Sequence, residues 1–264
     1  MTKRTLIVGN WKMNLNSHEA SLLAKRLHDR IIPHRSVEVV LAPSLLSLQP
    51  LSVDIDRRKF RLAAQNAYFK DEGAYTGEVS FTMLNGIADY AIVGHSERRI
   101  YFGESLENVR DKVQAAIRNG ITPILCVGEN QQERAAGESS RVFNAQVTSA
   151  LSNLTAEEVA GMVVAYEPIW AISTFGGQIS KPDDMQKAIK QIRQQIEQLY
   201  GSPAAKSVRI LYGGSVNADT AGAYLALPDC DGTLVGNSSL NYHQFADIVE
   251  KAYRLTHDGD KDNG

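Results

Sequence analysis

The strongest constraint on the fold of this chain is a regular alternation of short β-branched segments with amphipathic helical patterns. Between the segments, apolar residues recur at helical spacing, most clearly at Met185, Ile189, Ile192, Ile196 and Leu199. Because strand and helix alternate eight times without a change of composition, the sequence predicts an α/β fold, a closed (β/α)8 barrel in one domain. The predicted strands span residues 5–8, 37–41, 61–64, 90–93, 122–127, 162–165, 208–211 and 232–235.

The length of the chain, 264 residues, suits one such barrel, which typically takes about 250 residues. We predict a catalytic barrel domain over residues 1–255 and a polar tail, 256–264, that frays. A doubly wound open sheet shows the same alternation of elements. The turn Gly9-Asn10-Trp11-Lys12 lacks the Gly-x-Gly-x-x-Gly pattern that admits a dinucleotide, so the barrel is the favoured interpretation.

Charge and cysteine usage limit the partners and the compartment. A formal net charge of −2 offers no general attraction to nucleic acid or to an anionic membrane. The first residues hold too short an apolar run for a signal peptide or a membrane span. Cys126 and Cys230 lack metal-ligand or redox spacing and are interpreted as reduced structural thiols. We therefore expect a cytoplasmic protein that binds anions through local donors.

Polar residues follow several predicted strands, at the face where barrels of this kind carry their reactive groups. Asn10 and Lys12 follow the first strand, His95 and Glu97 the fourth, and Glu167 the sixth. A carboxylate with nearby donors suits removal of a carbon-bound proton beside a carbonyl. We assign Glu167 as the base because its mostly apolar neighbours would desolvate it. A salt-bridged glutamate at the barrel rim remains the alternative interpretation.

His95 precedes a Ser-x-x-Arg segment that can open a helix, where the backbone dipole disfavours imidazolium. A neutral imidazole can still donate a hydrogen bond to a substrate carbonyl. Lys12 would supply a fixed cation for an anionic substrate, and Asn10 would orient it or bind the same oxygen. Each residue alone also fits an ordinary structural role, as a core histidine or a solvated lysine.

Glycine-rich turns follow the last two predicted strands, a common place for a phosphate site in barrels. One turn contains Ser215 and the other Gly236 and Asn237. Glycine lets backbone N–H groups approach oxygen closely, although a single such turn often only connects two elements and binds nothing. Two turns at adjacent strands favour phosphate binding.

Four motifs closely resemble those of the triosephosphate isomerase family and occur in the same order: Gly9-Asn10-Trp11-Lys12-Met13-Asn14, residues 93–99, Ala165-Tyr166-Glu167-Pro168-Ile169-Trp170-Ala171 and Tyr212-Gly213-Gly214-Ser215-Val216. The resemblance implies a TIM-barrel enzyme of glycolysis and gluconeogenesis that interconverts dihydroxyacetone phosphate and D-glyceraldehyde 3-phosphate through an enediolate, without cofactor or metal. It implies Glu167 as base and His95 as electrophile, the known pairing in this family. It also implies that Lys12 and Asn10 bind substrate, with Ser96, Glu97 and Tyr212 supporting them.

The resemblance further implies a homodimer, although a tetramer stays open. The long loop over residues 67–77, with Tyr75 and Thr76 near its tip, would insert beside the partner's active site. The lid after Glu167 departs from the family pattern Ala-Ile-Gly-Thr-Gly-Lys, since it reads Ala171-Ile172-Ser173-Thr174-Phe175-Gly176-Gly177-Gln178. Ser173 keeps the backbone N–H expected to meet phosphate, and Asn237 replaces a second glycine. Serine resists a left-handed backbone more than glycine does, whereas asparagine is the non-glycine residue that tolerates it best.

Two other functions stay open at this level. One is a Schiff-base aldolase of phosphosugars that uses Lys12 as its amine. The other is a barrel that binds sugar phosphates or partners without turnover, which the altered lid alone suggests. Borohydride trapping distinguishes the first, and a turnover assay the second.

Overall fold

A computed structural model describes residues 3–175 and 180–261 of the chain. In this part of the chain, eight parallel strands pair in chain order and the last closes on the first, with Leu6 in register with Gly232. The predicted barrel is confirmed, and the strand bounds differ from the predicted ones by at most two residues. The strands are β1 (Thr5–Asn10), β2 (Val37–Ala42), β3 (Phe60–Ala64), β4 (Tyr90–Val93), β5 (Thr122–Val127), β6 (Val163–Tyr166), β7 (Arg209–Tyr212) and β8 (Gly232–Val235).

Helices surround the barrel, and short extra helices occupy the loops at its carboxyl end. Side-chain caps start many of them, and capping boxes precede five. The α-helices are α1 (Ser17–Arg30), α2 (Leu45–Asp54), α3 (Phe81–Leu84), α4 (Ser96–Tyr101), α5 (Leu106–Arg118), α6 (Gln131–Ala135), α7 (Ser139–Leu151), α8 (Ala156–Ala160), α9 (Pro182–Ser207), α10 (Ala218–Leu225) and α11 (Tyr242–Lys261). Three 3₁₀ helices follow strands β6 and β8: Ile169–Ala171, Ser173–Phe175 and Asn237–Leu240.

Side-chain alternation along the strands separates two layers of core. Leu6 and Val8 of β1 point into the barrel, whereas Ile7 packs outward against the helices. The predicted apolar face of α9 is buried at Met185, Ile189, Ile192 and Ile196. Leu199 is exposed instead, near the end of the first part of the helix, which Gly201 interrupts with a positive φ of 82°. The barrel interior is therefore a packed core that holds the strand ends in fixed positions.

The amino-terminal end of the barrel interior is closed by three polar side chains. Arg209 Nη1 lies 2.9 Å from Glu38 Oε2, and Arg209 Nη2 donates to the Tyr90 hydroxyl at 2.8 Å. The Tyr90 hydroxyl donates in turn to Glu38 Oε1 at 3.0 Å. These residues form a mutually paired cluster, the floor cluster, at the end of the barrel remote from the predicted site.

The last helix, α11, extends to Lys261, beyond the predicted domain boundary at residue 255. Residues 262–264 of the predicted tail lie outside the described residues, and fraying of the tail stays a prediction. Throughout residues 3–175 and 180–261, every helix is too short or too polar to cross a membrane.

Candidate active site

One cavity of about 150 Å³ opens at the carboxyl ends of the strands. Such a volume suits a ligand well below drug size, since pockets for drug-sized molecules take about 300 Å³ or more. The strand ends and the loops after them bring together most of the predicted site residues. The cavity is lined by Asn10, Lys12, His95, Glu167, Ile172, Gly213, Gly214, Ser215, Val216, Asn217, Leu234, Gly236, Asn237 and Ser238.

Glu167 follows β6 and is almost fully buried, with 1% of its surface exposed. Its Oε2 accepts a hydrogen bond from the Ser96 backbone N–H at 3.1 Å, and its Oε1 lies 3.1 Å from His95 Nε2. Oε1 has no satisfactory hydrogen bond among the described residues. Gly213 makes room for this side chain, because a Cβ at that position would lie 2.8 Å from Glu167 Cγ. The carboxylate is thus desolvated and only partly paired.

His95 caps the start of α4 and is buried beside the cavity. The Glu97 backbone N–H donates to His95 Nδ1 at 3.2 Å. An Nδ1 atom that accepts a hydrogen bond carries no proton, so the imidazole is neutral and its proton is on Nε2. The helix start therefore selects the tautomer whose donor is Nε2, the ring nitrogen that lies 3.1 Å from Glu167 Oε1.

Lys12 is held in an unusual backbone conformation at the end of β1. Its φ is 53°, in the left-handed region that few lysines adopt. Asn10 Oδ1 accepts from the Lys12 N–H at 3.1 Å, and Gln65 Nε2 donates to the Lys12 carbonyl at 2.8 Å. Backbone strain of this kind often accompanies function. The side chain is consequently directed to the cavity rather than to open solvent.

Glu97 pairs with the ammonium group of this lysine. Lys12 Nζ lies 2.6 Å from Glu97 Oε1, and the same oxygen accepts from Thr174 Oγ1 at 3.0 Å. Burial alone raises the pKa of Glu97, but the hydrogen bond from Lys12 and nearby charges lower it, so this pKa lies below its ordinary value. Glu97 is therefore an anion that holds Lys12 in place.

The two glycine-rich turns form the opposite wall of the cavity. Ser215 N and Ser215 Oγ both donate to the Ala171 carbonyl, at 3.2 and 2.6 Å. Gly236 precedes the 3₁₀ helix that starts at Asn237, so Asn237 does not use the left-handed backbone expected of a glycine substitute. Ser173 likewise lies in a 3₁₀ helix. Closely spaced backbone N–H groups at such a wall suit an anion.

The sequence model of the triosephosphate isomerase family matches residues 5–252. This chain belongs to the triosephosphate isomerase family. Among its curated relatives, the triosephosphate isomerases of Streptococcus suis (strain 05ZYH33) and Streptococcus pneumoniae (strain ATCC BAA-334 / TIGR4) are both 41% identical to it. These matches cover 94% and 95% of this chain and 99% of each relative. The triosephosphate isomerase of Streptococcus thermophilus is 40% identical over 251 residues.

The sequence did not predict the contacts of two further polar residues in this triosephosphate isomerase family member, Gln65 and Glu129. Gln65 bridges the carbonyls of Lys12 and Ala42, which lie at the ends of β1 and β2. Glu129 Oε1 accepts from the Tyr166 hydroxyl and from Trp170 Nε1, both at 3.1 Å. Gln65 directly follows β3 and Glu129 follows β5 by two residues, and this position after a strand is the signal that could have identified them.

The lid of this family member begins with the 3₁₀ helix Ile169–Ala171. Trp170 is buried, and the Arg134 guanidinium carbon lies 3.9 Å from the centre of its ring. Tyr212, at the end of β7, packs against Tyr224, and the centres of the two rings are 4.2 Å apart. Burial raises the pKa of the Tyr212 phenol. The predicted lid residues Gly176, Gly177 and Gln178 lie outside the described residues.

The predicted dimer loop is exposed to solvent. Residues 71–78 are exposed, including Tyr75 and Thr76. The Tyr75 ring contacts that of Tyr68 at 4.8 Å, which gives the loop internal order. The chain's own active-site cavity therefore gains no side chain from Tyr75 or Thr76.

Proposed function

We propose that this chain interconverts dihydroxyacetone phosphate and D-glyceraldehyde 3-phosphate, with Glu167 as the base that transfers the proton. It is an intramolecular aldose-ketose isomerase of glycolysis and gluconeogenesis. One observation carries the assignment of roles: a buried carboxylate, a neutral imidazole and a lysine ammonium line one small cavity. That set of groups can remove and return a proton at carbon without any other reagent.

The chemistry follows from the positions of the three groups. Glu167 turns from the Ser96 N–H to the substrate and takes the proton from C1 of dihydroxyacetone phosphate. The C2 carbonyl oxygen gains negative charge as the enediolate forms, and the His95 Nε2 proton and the Lys12 ammonium stabilise that oxygen. Glu167 then returns the proton to C2, while proton exchange between the two oxygens through His95 completes the aldehyde. Asn10 orients Lys12 and binds the same oxygen.

The phosphate group occupies the wall formed by the two turns. Backbone N–H groups near Ser215, Gly236 and Asn237 would bind its oxygens, and the Ser173 N–H would join them as the lid closes. Excluding water protects the enediolate, because an exposed enediolate can expel its neighbouring phosphate and leave methylglyoxal. Ser96, Glu97 and Tyr212 act by supporting Glu167, Lys12 and the lid. The expectation that no cofactor or metal is required stays a prediction.

The proposed assembly is a homodimer. A second cavity of about 310 Å³ lies beside Lys12 and is lined in part by Met13, Leu45 and Phe102. Met13 is 97% exposed and Phe102 68% exposed, which is unusual for apolar side chains beside a catalytic residue. The partner's loop, with Tyr75 and Thr76 at its tip, would cover this cavity and brace Lys12. Sedimentation of the wild type as a dimer and of Tyr75→Glu as a monomer would support this assembly.

The proposed location is the cytoplasm. Cys126 and Cys230 are both free thiols, as expected where thiols stay reduced. Fractionation of the source cells, followed by detection of the chain, tests this placement.

The decisive assay is isomerisation of D-glyceraldehyde 3-phosphate, with the product followed by a coupled reduction of dihydroxyacetone phosphate. Glu167→Gln keeps the size of the side chain and removes the base, so kcat falls by about 10³-fold or more. Binding of inorganic phosphate is retained. The matched control Glu107→Gln, at an exposed glutamate on α5, keeps wild-type turnover.

Wild-type protein without isomerase activity would exclude the proposed function. Equal turnover by Glu167→Gln and wild type would exclude Glu167 as the base. Borohydride reduction with substrate present is expected to leave Lys12 unmodified, whereas a covalent adduct there would favour the aldolase.

A further inference from the structure

The described part of the lid lines the cavity at Ile172 and also contacts α4. Thr174 Oγ1 donates to Glu97 Oε1 at 3.0 Å, and the Phe175 ring lies 5.5 Å from the Tyr101 ring at an interplanar angle of 34°. Glu97 and Tyr101 are four residues apart on α4 and so share one face of that helix. Two consecutive lid residues thus contact two successive turns of the helix that His95 caps.

The catalytic side chains have protein partners in the same arrangement. The Glu167 carboxylate accepts from the Ser96 N–H, and the Lys12 ammonium is paired with Glu97. On the other side, Ser215 holds the start of the lid through the Ala171 carbonyl. The lid is therefore fixed at its start by the phosphate wall and at Phe175 by α4.

We propose that Phe175 and Tyr101 form an aromatic clasp that holds the ligand-free lid on α4, and that both are positioning residues for lid closure. This inference rests on the proposed function. Binding of the phosphate draws the Ser173 backbone toward the turns, which separates the two rings. Separating the rings costs free energy and so weakens the observed binding of the phosphate. A ligand shifts a conformational equilibrium only by its difference in affinity for the two states.

The size of the effect follows from the strength of one aromatic pair. Such pairs contribute enough to change an equilibrium by about two- to tenfold. Removal of either ring should therefore tighten binding of a phosphate-bearing inhibitor by about two- to tenfold. Opening of the lid becomes slower relative to closure, so KM falls and kcat falls with it if product release limits turnover.

The test compares Phe175→Ala, Tyr101→Ala and the double variant with the matched control Tyr101→Phe, which keeps the ring. Calorimetry measures binding of sn-glycerol 3-phosphate, and the coupled assay gives kcat and KM. Methylglyoxal formed per turnover reports on leakage from the closed site. Thermal unfolding and sedimentation confirm that each variant folds and assembles as the wild type does.

The clasp predicts tighter binding and lower KM in both single variants, no further change in the double variant, and wild-type values for Tyr101→Phe. Weaker binding, or a higher methylglyoxal fraction, would overturn it, because the ring pair would then stabilise the closed lid. Additive effects in the double variant, or unchanged binding, would also overturn it. Loss of wild-type isomerase activity instead removes the proposed function, while the calorimetric comparison still tests the ring pair.

Discussion

The two ends of the barrel interior both carry polar side chains that are buried or partly buried, but the hydrogen bonding of these side chains differs between the ends. In the floor cluster, Glu38, Tyr90 and Arg209 are joined to one another by contacts of 2.8 to 3.0 Å. At the mouth, Glu167 Oε1 and Ser96 Oγ are buried without a satisfactory hydrogen bond among the described residues. The polar groups of the floor cluster are hydrogen-bonded to one another, whereas some polar atoms at the mouth lack a hydrogen-bond partner among the described residues.

This difference separates stability from function within one fold. A buried polar atom without a partner costs about 1–3 kcal/mol, so leaving such atoms at the mouth lowers stability. A substrate that supplies the missing partners recovers that free energy on binding. The floor cluster offers a ligand no such gain. Changes at the mouth should therefore alter turnover more than stability, and changes at the floor should do the reverse.

The largest expected effect is at the mouth, in His95→Gln. The glutamine keeps a polar side chain but cannot exchange a proton with the substrate oxygens, so kcat falls by about 10²- to 10⁴-fold. The unfolding midpoint in urea stays close to that of the wild type. The control His18→Gln changes an exposed histidine and leaves both quantities unaltered. A large loss of stability in His95→Gln would contradict the division between the two ends.

The next effect is at the floor, in Arg209→Gln. This change leaves the partly buried Glu38 carboxylate without its cation, which costs about 1–3 kcal/mol of unfolding free energy. The kcat of the folded fraction should match the wild type. Urea denaturation and the coupled assay measure the two quantities. Replacing both partners, as Glu38→Met with Arg209→Met, should regain much of the stability, and a kcat loss in either variant would break the comparison.

A smaller effect is expected at Glu129, which contacts Trp170 at the start of the lid. Glu129→Leu leaves Trp170 Nε1 and the Tyr166 hydroxyl without their common acceptor, so the start of the lid is less well held. We expect kcat/KM to fall about tenfold, the equivalent of one lost buried hydrogen bond. Glu129→Gln retains an acceptor oxygen and should restore most of the loss. Equal losses in the two variants would point to charge rather than hydrogen bonding.

The last effect concerns Cys230, which precedes β8 at the floor end, and it is absent near neutral pH. Burial raises the pKa of this thiol to about 12, from an ordinary value of 9.0. Because the folded pKa is raised, the contribution to stability is complete below pH 9 and is lost as pH rises toward 12. The loss is at most about 1.4 kcal/mol per pH unit. Cys230→Ala should flatten the urea stability profile over this range, and kcat should be unaffected.

Most of the fold could be predicted from the sequence because it depends on local patterns. The eight strands and the apolar face of α9 follow from spacing alone, and the carboxyl-end rule then brings Glu167, His95 and Lys12 together. Leu199 is the exception on that face, because its spacing predicts burial and it is exposed.

The fine structure of the site could not be predicted in the same way. Gln65 reaches Lys12 across 53 positions of the chain, and Thr174 reaches Glu97 across 77. Contacts of this kind depend on side-chain packing between distant elements, which no local pattern encodes. The left-handed backbone of Lys12 and the 3₁₀ turns at Ser173 and Asn237 are likewise set by surrounding loops.

The glycine at position 213 has a consequence for the motion of the base. A proton carrier must travel between its resting contact and the reacting carbon, and here the hinge of that travel is the methylene chain of Glu167. Gly213 has no Cβ, and a Cβ at this position would lie 2.8 Å from Glu167 Cγ. The turn that follows β7 thus leaves the carboxylate room to move, and a larger residue at position 213 would restrict that motion.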